Sequence, residues 1–127
     1  MTHRWLAWGP LALSLAFLVT AAVIAVASGT GDGAAAAAFE WALAIVFGAV
    51  GALITGRHRA NPIGWIFLGA SLAASSTLLA EACAASYLGT GAGTKLLAGI
   101  AADYDQVSWI PFVVAPTTFM LLLAPDG

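Results

Sequence analysis

The chain has 127 residues, of which 61% are hydrophobic and only 8% are charged. Soluble domains carry roughly 25% charged residues, so this composition excludes an ordinary water-soluble domain and indicates a protein of the bilayer. The net charge of -2, without any run of Lys or Arg, leaves nucleic-acid binding with no electrostatic basis.

The first apolar segment, from about residue 6 to 27, is long enough to cross a hydrocarbon core of roughly 30 Å. A cleaved secretory signal is the alternative for this segment, because Arg4 precedes it and Ala25-Val26-Ala27 resembles a small-residue cleavage site. The segment exceeds the apolar core of about 7 to 15 residues that is usual in a signal peptide. We therefore expect a retained span.

The second span is expected from about residue 34 to 55, after a glycine-rich link that tolerates turns. A small residue recurs at every fourth position through this segment, at Ala44, Gly48, Ala52 and Gly56. Such a ladder lets two helix backbones approach closely in lipid. It predicts a helix-packing face, either within the bundle or between two copies in a homodimer, and a ligand pocket is a further alternative.

A short basic connector with Arg57 and Arg59 leads to the third span, expected from about residue 62 to 88. Two guanidinium groups between apolar segments belong in water, and basic residues in short loops mark the cytoplasmic side. Asn61 is expected to cap the third helix, with Pro62 in its first turn. Because the connector is short, spans two and three should be antiparallel neighbours.

Helical spacing separates the third span into two faces. The expected inward face holds small and polar residues: Ala70, Ala73, Ala74, Thr77, Glu81 and Ala84. Leu68, Leu72 and Leu79 are expected to face lipid. A carboxylate in the bilayer costs on the order of several kcal/mol unless it is protonated, paired or near water. Glu81 is therefore a candidate sensory residue for protons or cations, and the alternative is an acid solvated near the outer headgroups.

A longer outer loop is expected through residues 95 to 105, with one short interfacial helical piece at 96 to 102. The fourth span is then expected from about 107 to 124. Pro111 and Pro116 predict a kink near Phe112, because each proline removes a backbone donor, and Thr117 and Thr118 could bond the freed backbone groups. Such a kinked helix could be a moving part of the protein, or it could be a fixed bend in a static bundle.

The expected fold is an all-α membrane protein whose single domain, residues 1–127, is an up-down antiparallel bundle of four transmembrane helices. Arg4, Arg57 and Arg59 lie on one side and Lys95 alone on the other. This asymmetry predicts that both termini face the cytoplasm. The expected location is a membrane that the chain crosses several times.

The sequence holds no pattern typical of an enzyme. His3 and His58 are the only histidines, and the spacing of the chain places no nucleophilic partner near either of them. The single Cys83 cannot form an intrachain disulfide, and no spacing typical of a metal site occurs. We expect no catalysis, no cofactor and no metal.

Three motifs in order suggest a family. Gly51-Ala52-Leu53-Ile54 and a basic link precede Asn61-Pro62-Ile63-Gly64-Trp65, and Trp109-Ile110-Pro111 leads to Pro125-Asp126-Gly127. This order resembles the membrane-embedded N-terminal region of actinobacterial sensor histidine kinases of two-component systems, over about the last three quarters of the chain. The family commonly has Phe where Ala124 stands, and Pro where His58 or Arg59 stands.

The resemblance implies the input module of a membrane sensor in a bacterial cytoplasmic membrane, truncated before its cytoplasmic kinase region. Its implied partners are the lipid bilayer, a second copy of the chain, the missing kinase region and a response regulator. The alternative is a small autonomous integral membrane protein, such as a partner subunit. A transporter is less favoured, because transport usually needs several polar groups at membrane depth or matched interrupted helices, and only Glu81 and the fourth span come close.

Overall fold

The computed structural model describes residues 5–29, 34–90 and 95–123 of the chain. Four helices make up nearly all of these residues: α1 Trp5–Ser28, α2 Ala34–Arg57, α3 Pro62–Thr90 and α4 Lys95–Leu123. The described residues outside the helices are Gly29 and residues 58–61, and none of the described residues is in a strand. The prediction of an all-α protein is confirmed.

The end of α1 follows from its last two residues. Gly29 has a φ of 68°, the left-handed conformation that only glycine adopts without strain, and its N–H donates a 3.3 Å hydrogen bond to the Val26 carbonyl. The Ser28 hydroxyl donates to the Ile24 carbonyl at 2.7 Å. The sequence prediction that glycine breaks the chain here is therefore confirmed at Gly29, and the rest of that link, residues 30–33, lies outside the described residues.

Helix α4 corrects the predicted outer loop. The segment from Lys95 to Asp105 is helical, and it continues without interruption into the segment that was predicted as the fourth span. Lys, Leu and Ala are strong helix formers, and the segment contains no proline before Pro111. The predicted helical piece at residues 96 to 102 is part of this longer helix, so the error lies in its bounds and in the loop expected around it.

Helix α3 is the centre of the described structure. It packs against α1, α2 and α4, whereas α1 and α2 share a smaller contact with each other. One small cluster of buried side chains joins three of the helices: Leu18 of α1, Ala44 of α2, and Ala74 and Leu78 of α3, with Trp41 packed against them. The core of the bundle therefore lies along α3.

The order of contacts gives the relative directions of the helices. Gly48 lies against Ser71, Gly51 against Leu68, and Gly64 against Thr55, so rising numbers on α2 meet falling numbers on α3. Helices α2 and α3 are antiparallel, as their short connector requires. Leu11 lies at the level of Gly48, and Leu18 at the level of Leu78, so α1 runs parallel to α3.

Within the described residues, three helical segments are long and apolar enough to cross a membrane: Trp8–Ser28, Ala38–Arg57 and Pro62–Tyr87. The outer face of α1 presents large side chains without cover, with Val19 63%, Val23 62% and Val26 83% exposed. A continuous apolar face of this kind meets acyl chains rather than water. These features indicate a membrane protein. The fourth span and the in-out orientation stay predictions.

Candidate functional site

The connector between α2 and α3 is a tight turn held by backbone hydrogen bonds. The N–H of His58 donates to the Ile54 carbonyl at 2.7 Å, and the N–H of Asn61 donates to the His58 carbonyl at 3.0 Å. Arg57, His58 and Arg59 are all exposed. The turn therefore presents three basic side chains from a backbone that is fixed at both ends.

The first residues of α3 complete this turn. The Asn61 side-chain carbonyl accepts a 3.0 Å hydrogen bond from the N–H of Ile63, so Asn61 caps α3, and Pro62 is the first helical residue, as the sequence predicts. The indole N–H of Trp65 donates to the Arg59 carbonyl at 3.2 Å. Trp65 thus ties the first turn of the helix back to the connector.

Above the connector, two glycines bring α2 and α3 into close contact. A Cβ at Gly51 would lie 2.7 Å from the Leu68 nitrogen, and a Cβ at Gly64 would lie 2.9 Å from the Thr55 nitrogen. Real Cβ atoms do not approach a backbone nitrogen this closely. Each glycine therefore allows the partner backbone to come nearer than any other residue would permit.

Further along the hairpin, a buried hydroxyl crosses between the helices. The Ser71 hydroxyl of α3 donates a 2.7 Å hydrogen bond to the Ala44 carbonyl of α2. A Cβ at Gly48 would lie 2.7 Å from that hydroxyl oxygen and 2.8 Å from a methyl carbon of Leu11 in α1. Gly48 therefore makes room for the hydrogen bond between α2 and α3 and also for the Leu11 side chain of α1.

Two other buried hydroxyls, Ser14 of α1 and Thr55 of α2, have no hydrogen-bond partner within the described residues. Thr20 and Thr77 each donate to the carbonyl one turn earlier in their own helices, at 2.8 and 3.0 Å. A Ser or Thr in a helix can bond a carbonyl of its own preceding turn in this way, so Ser14 and Thr55 are not by themselves evidence of a ligand.

A polar contact joins α3 to α4. The Ser76 and Tyr104 hydroxyl oxygens lie 2.8 Å apart, and the Ser76 hydroxyl oxygen lies 2.7 Å from the Ala73 carbonyl. Since the carbonyl can only accept, Ser76 can donate to Ala73 while Tyr104 donates to Ser76. This link attaches α4 to the central helix at an exposed position.

The predicted packing residues divide into two groups. Ala44, Gly48 and Ala52 are buried, whereas Gly56 is exposed and a Cβ there would meet nothing within 4 Å. Gly56 is therefore not part of the contact. Residues spaced four apart drift slowly around a helix, so the last residue of this row no longer faces α3. Ala73 and Thr77 are half-buried.

The predicted lipid face of α3 is wrong at Leu68, which is only 1% exposed. Leu68 lies on the same face of α3 as Gly64 and Ser71. Because three helices surround α3, a larger part of its circumference is buried than in a helix that packs on one side only. Leu72 and Leu79 are half-buried.

Glu81 lies in the later part of α3 and is exposed, not turned into the core with Ala74 and Ala84. In α4, the helix runs through Pro111 and Pro116, and the Thr117 hydroxyl donates to the Val113 carbonyl at 2.7 Å. Pro116 removes the usual donor of the Phe112 carbonyl, so Thr117 bonds the next carbonyl and not the freed one, which corrects the role predicted for Thr117. The kink near Phe112 stays a prediction.

Several predicted features lie outside the described residues, namely Arg4 and the Pro125-Asp126-Gly127 motif. Within the described ranges, no three His, Cys, Asp or Glu side chains are grouped as metal ligands would be. Comparisons of the chain with protein-family models, with curated proteins and with solved structures gave no match.

Sequence reasoning missed four hydroxyl residues of the buried contacts: Ser14, Thr55, Ser71 and Ser75. Their signal was available, because small polar residues within an apolar span seek partners on neighbouring helices. Ser71 and Ser75 are one turn apart on α3, so the two hydroxyls lie on the same face of the helix and indicate that this face is in contact with a neighbour. The role of Gly51 had no such signal, because a glycine beside the ladder looks the same whether or not a helix covers it.

Proposed function

We propose that the chain is the membrane-embedded input module of a two-component signalling protein, whose output is made by a cytoplasmic kinase region. The motif from Asn61 to Trp65 supports this proposal. Asn61 caps α3, Gly64 admits the α2 backbone, and Trp65 ties the helix to Arg59, so three of the five residues of this motif also hold the α2–α3 junction together.

The packing of α3 supplies a physical route for the signal. Three helices contact α3, so a displacement of α1 or α2 changes the position of the helix to which α4 is attached. Helix shifts of about 1 to 2 Å at interfaces are an established way to transmit such changes. In this proposal, α4 carries the shift toward the cytoplasm, and the Ser76–Tyr104 contact is one of the connections that a stimulus would alter.

Glu81 is our candidate for the residue that meets the stimulus. It is exposed in the half of α3 that lies away from the basic connector, which the proposed orientation places toward the outside. A carboxylate near that boundary can respond to protons or cations. With Glu81→Gln, the response of the complete signalling protein to pH and cations should be lost. An unchanged response would remove Glu81 from the proposal.

The reading frame of the gene tests the proposal most directly. A frame that continues beyond codon 127 into a segment with a phosphoacceptor histidine would support it, and the encoded protein in liposomes should then incorporate phosphate from ATP. A stop codon directly after codon 127, together with a folded product in the membrane, would contradict it. That result would favour a small autonomous integral membrane protein.

A further inference from the structure

The connector between α2 and α3 carries positive charge that no acidic residue nearby in sequence offsets. Between Glu40 and Glu81 the sequence contains no Asp or Glu, while Arg57 and Arg59 lie in the middle of this stretch. Glu40 lies near the start of α2 and Arg57 at its end, about 25 Å away at 1.5 Å per residue. That separation exceeds the Debye length of about 8 Å at physiological salt, so Glu40 does not neutralise the connector.

The basic side chains are also accessible. Arg57, His58 and Arg59 are exposed, and the neighbouring Gly56 has open space around it. Trp65, 43% exposed, adds an indole ring beside the turn. Indole rings favour the headgroup level of a bilayer. The connector therefore combines guanidinium groups with an aromatic side chain at one end of two apolar helices.

The backbone under these side chains is already ordered. Hydrogen bonds to the carbonyls of Ile54, His58 and Arg59 hold the turn, and Asn61 caps the helix that follows. A ligand that binds here meets a turn whose backbone need not be fixed again, which reduces the entropic cost of association. The basic side chains therefore extend from an ordered backbone.

From this arrangement we propose that the connector, defined as residues Arg57 to Asn61, binds the phosphate of an anionic phospholipid headgroup. Guanidinium groups bind phosphate oxygens through paired, charge-assisted hydrogen bonds. A lipid phosphate is available where the two apolar helices reach the membrane surface, and its acyl chains can lie along their exposed sides. The proposal goes beyond the signalling function and does not depend on it.

Binding is tested with the full chain in phosphatidylcholine micelles to which phosphatidylglycerol is added, with native mass spectrometry counting the lipids retained. We expect preferential retention of phosphatidylglycerol. Each arginine removed should weaken that retention about fivefold, in line with the attraction of basic residues to anionic membrane surfaces. Micelles have no inside or outside, so the result is independent of the orientation proposed above.

Matched variants separate this site from general charge attraction. Arg59→Gln should weaken retention, whereas Lys95→Gln, which removes one exposed charge outside the connector, should not. Helical content and melting temperature in phosphatidylcholine alone report whether each variant folds. The Arg57→Lys/Arg59→Lys variant keeps both charges but loses the paired geometry, so its retention should be intermediate.

Three results would overturn the proposal. Equal retention of phosphatidylcholine and phosphatidylglycerol would show no preference for anionic lipid, and equal effects of Arg59→Gln and Lys95→Gln would show that the connector is not the site. Displacement of the lipid by inorganic phosphate at low millimolar concentration would show a site for free phosphate, not for a lipid.

Discussion

Gly64 of α3 lies against Thr55 of α2 so closely that a Cβ on Gly64 would be 2.9 Å from the Thr55 backbone nitrogen. The Thr55 hydroxyl is close to the same point, but the main-chain nitrogen is the obstacle that cannot move aside without displacing a helix. Gly51 has the same relation to Leu68 one turn further along. Two glycines, one from each helix, therefore determine how near α2 and α3 can come.

Gly64→Ala should destabilise the protein by about 1 to 3 kcal/mol, the usual range for a group forced into a packed core. The control is Gly69→Ala on the same helix, where a Cβ would meet nothing within 4 Å. That change should be neutral or stabilising by up to about 1 kcal/mol, because alanine favours helix over glycine. Unfolding of both variants in detergent by a graded denaturant measures the difference. Similar values for the two would show that the close contact is absent.

The hydrogen bond from Ser71 to Ala44 makes a second prediction. Ser71→Ala should cost about 0.6 kcal/mol, typical of a hydrogen bond between helices in a membrane protein. Gly48→Ala should cost more, because the new methyl group would lie 2.7 Å from the Ser71 hydroxyl oxygen. In the double variant that oxygen is gone, so the two effects should not add. Strict additivity in the double-mutant cycle would contradict the contact between these residues.

Much of the fold follows from the sequence. Long apolar segments predict the helices, Gly29 ends α1, and the short basic connector requires α2 and α3 to be antiparallel. The predicted cap at Asn61 is present because its side chain and the following proline act locally. Local rules need only a few neighbouring residues, and the sequence supplies them.

The parts that sequence reasoning missed depend on which helix covers which face. By sequence alone Leu68 looks like a leucine that faces lipid, but α2 covers it. Gly56 continues the row of small residues, but α3 does not contact the row at that point. Residues 95 to 105 were predicted as a loop with a helical piece at 96 to 102, whereas they form the start of one continuous helix. Tertiary neighbours decide these points, and periodicity within one helix does not contain them.

Tyr104→Phe should loosen α4 without affecting the other helices much. It removes the hydroxyl that contacts Ser76, but leaves the ring and its packing. Because the position is exposed, the expected loss of overall stability is below about 1 kcal/mol. Hydrogen exchange in detergent should show faster exchange in α4 and little change in α2. Uniformly faster exchange along the chain would contradict a local role for this contact.

The proposed orientation predicts which side of the membrane the connector faces. In a Cys83→Ala background, which removes the natural thiol, a cysteine at His58 should react with a membrane-impermeant maleimide only after the cells are opened. The matched variant, Lys95→Cys, places an exposed cysteine at the start of α4 and should react in intact cells. The physical reason is the excess of arginine at the connector, since arginine in short loops remains on the cytoplasmic side during insertion. Labelling of the His58→Cys protein in intact cells would reverse the orientation and, with it, the placement of Glu81 toward the outside.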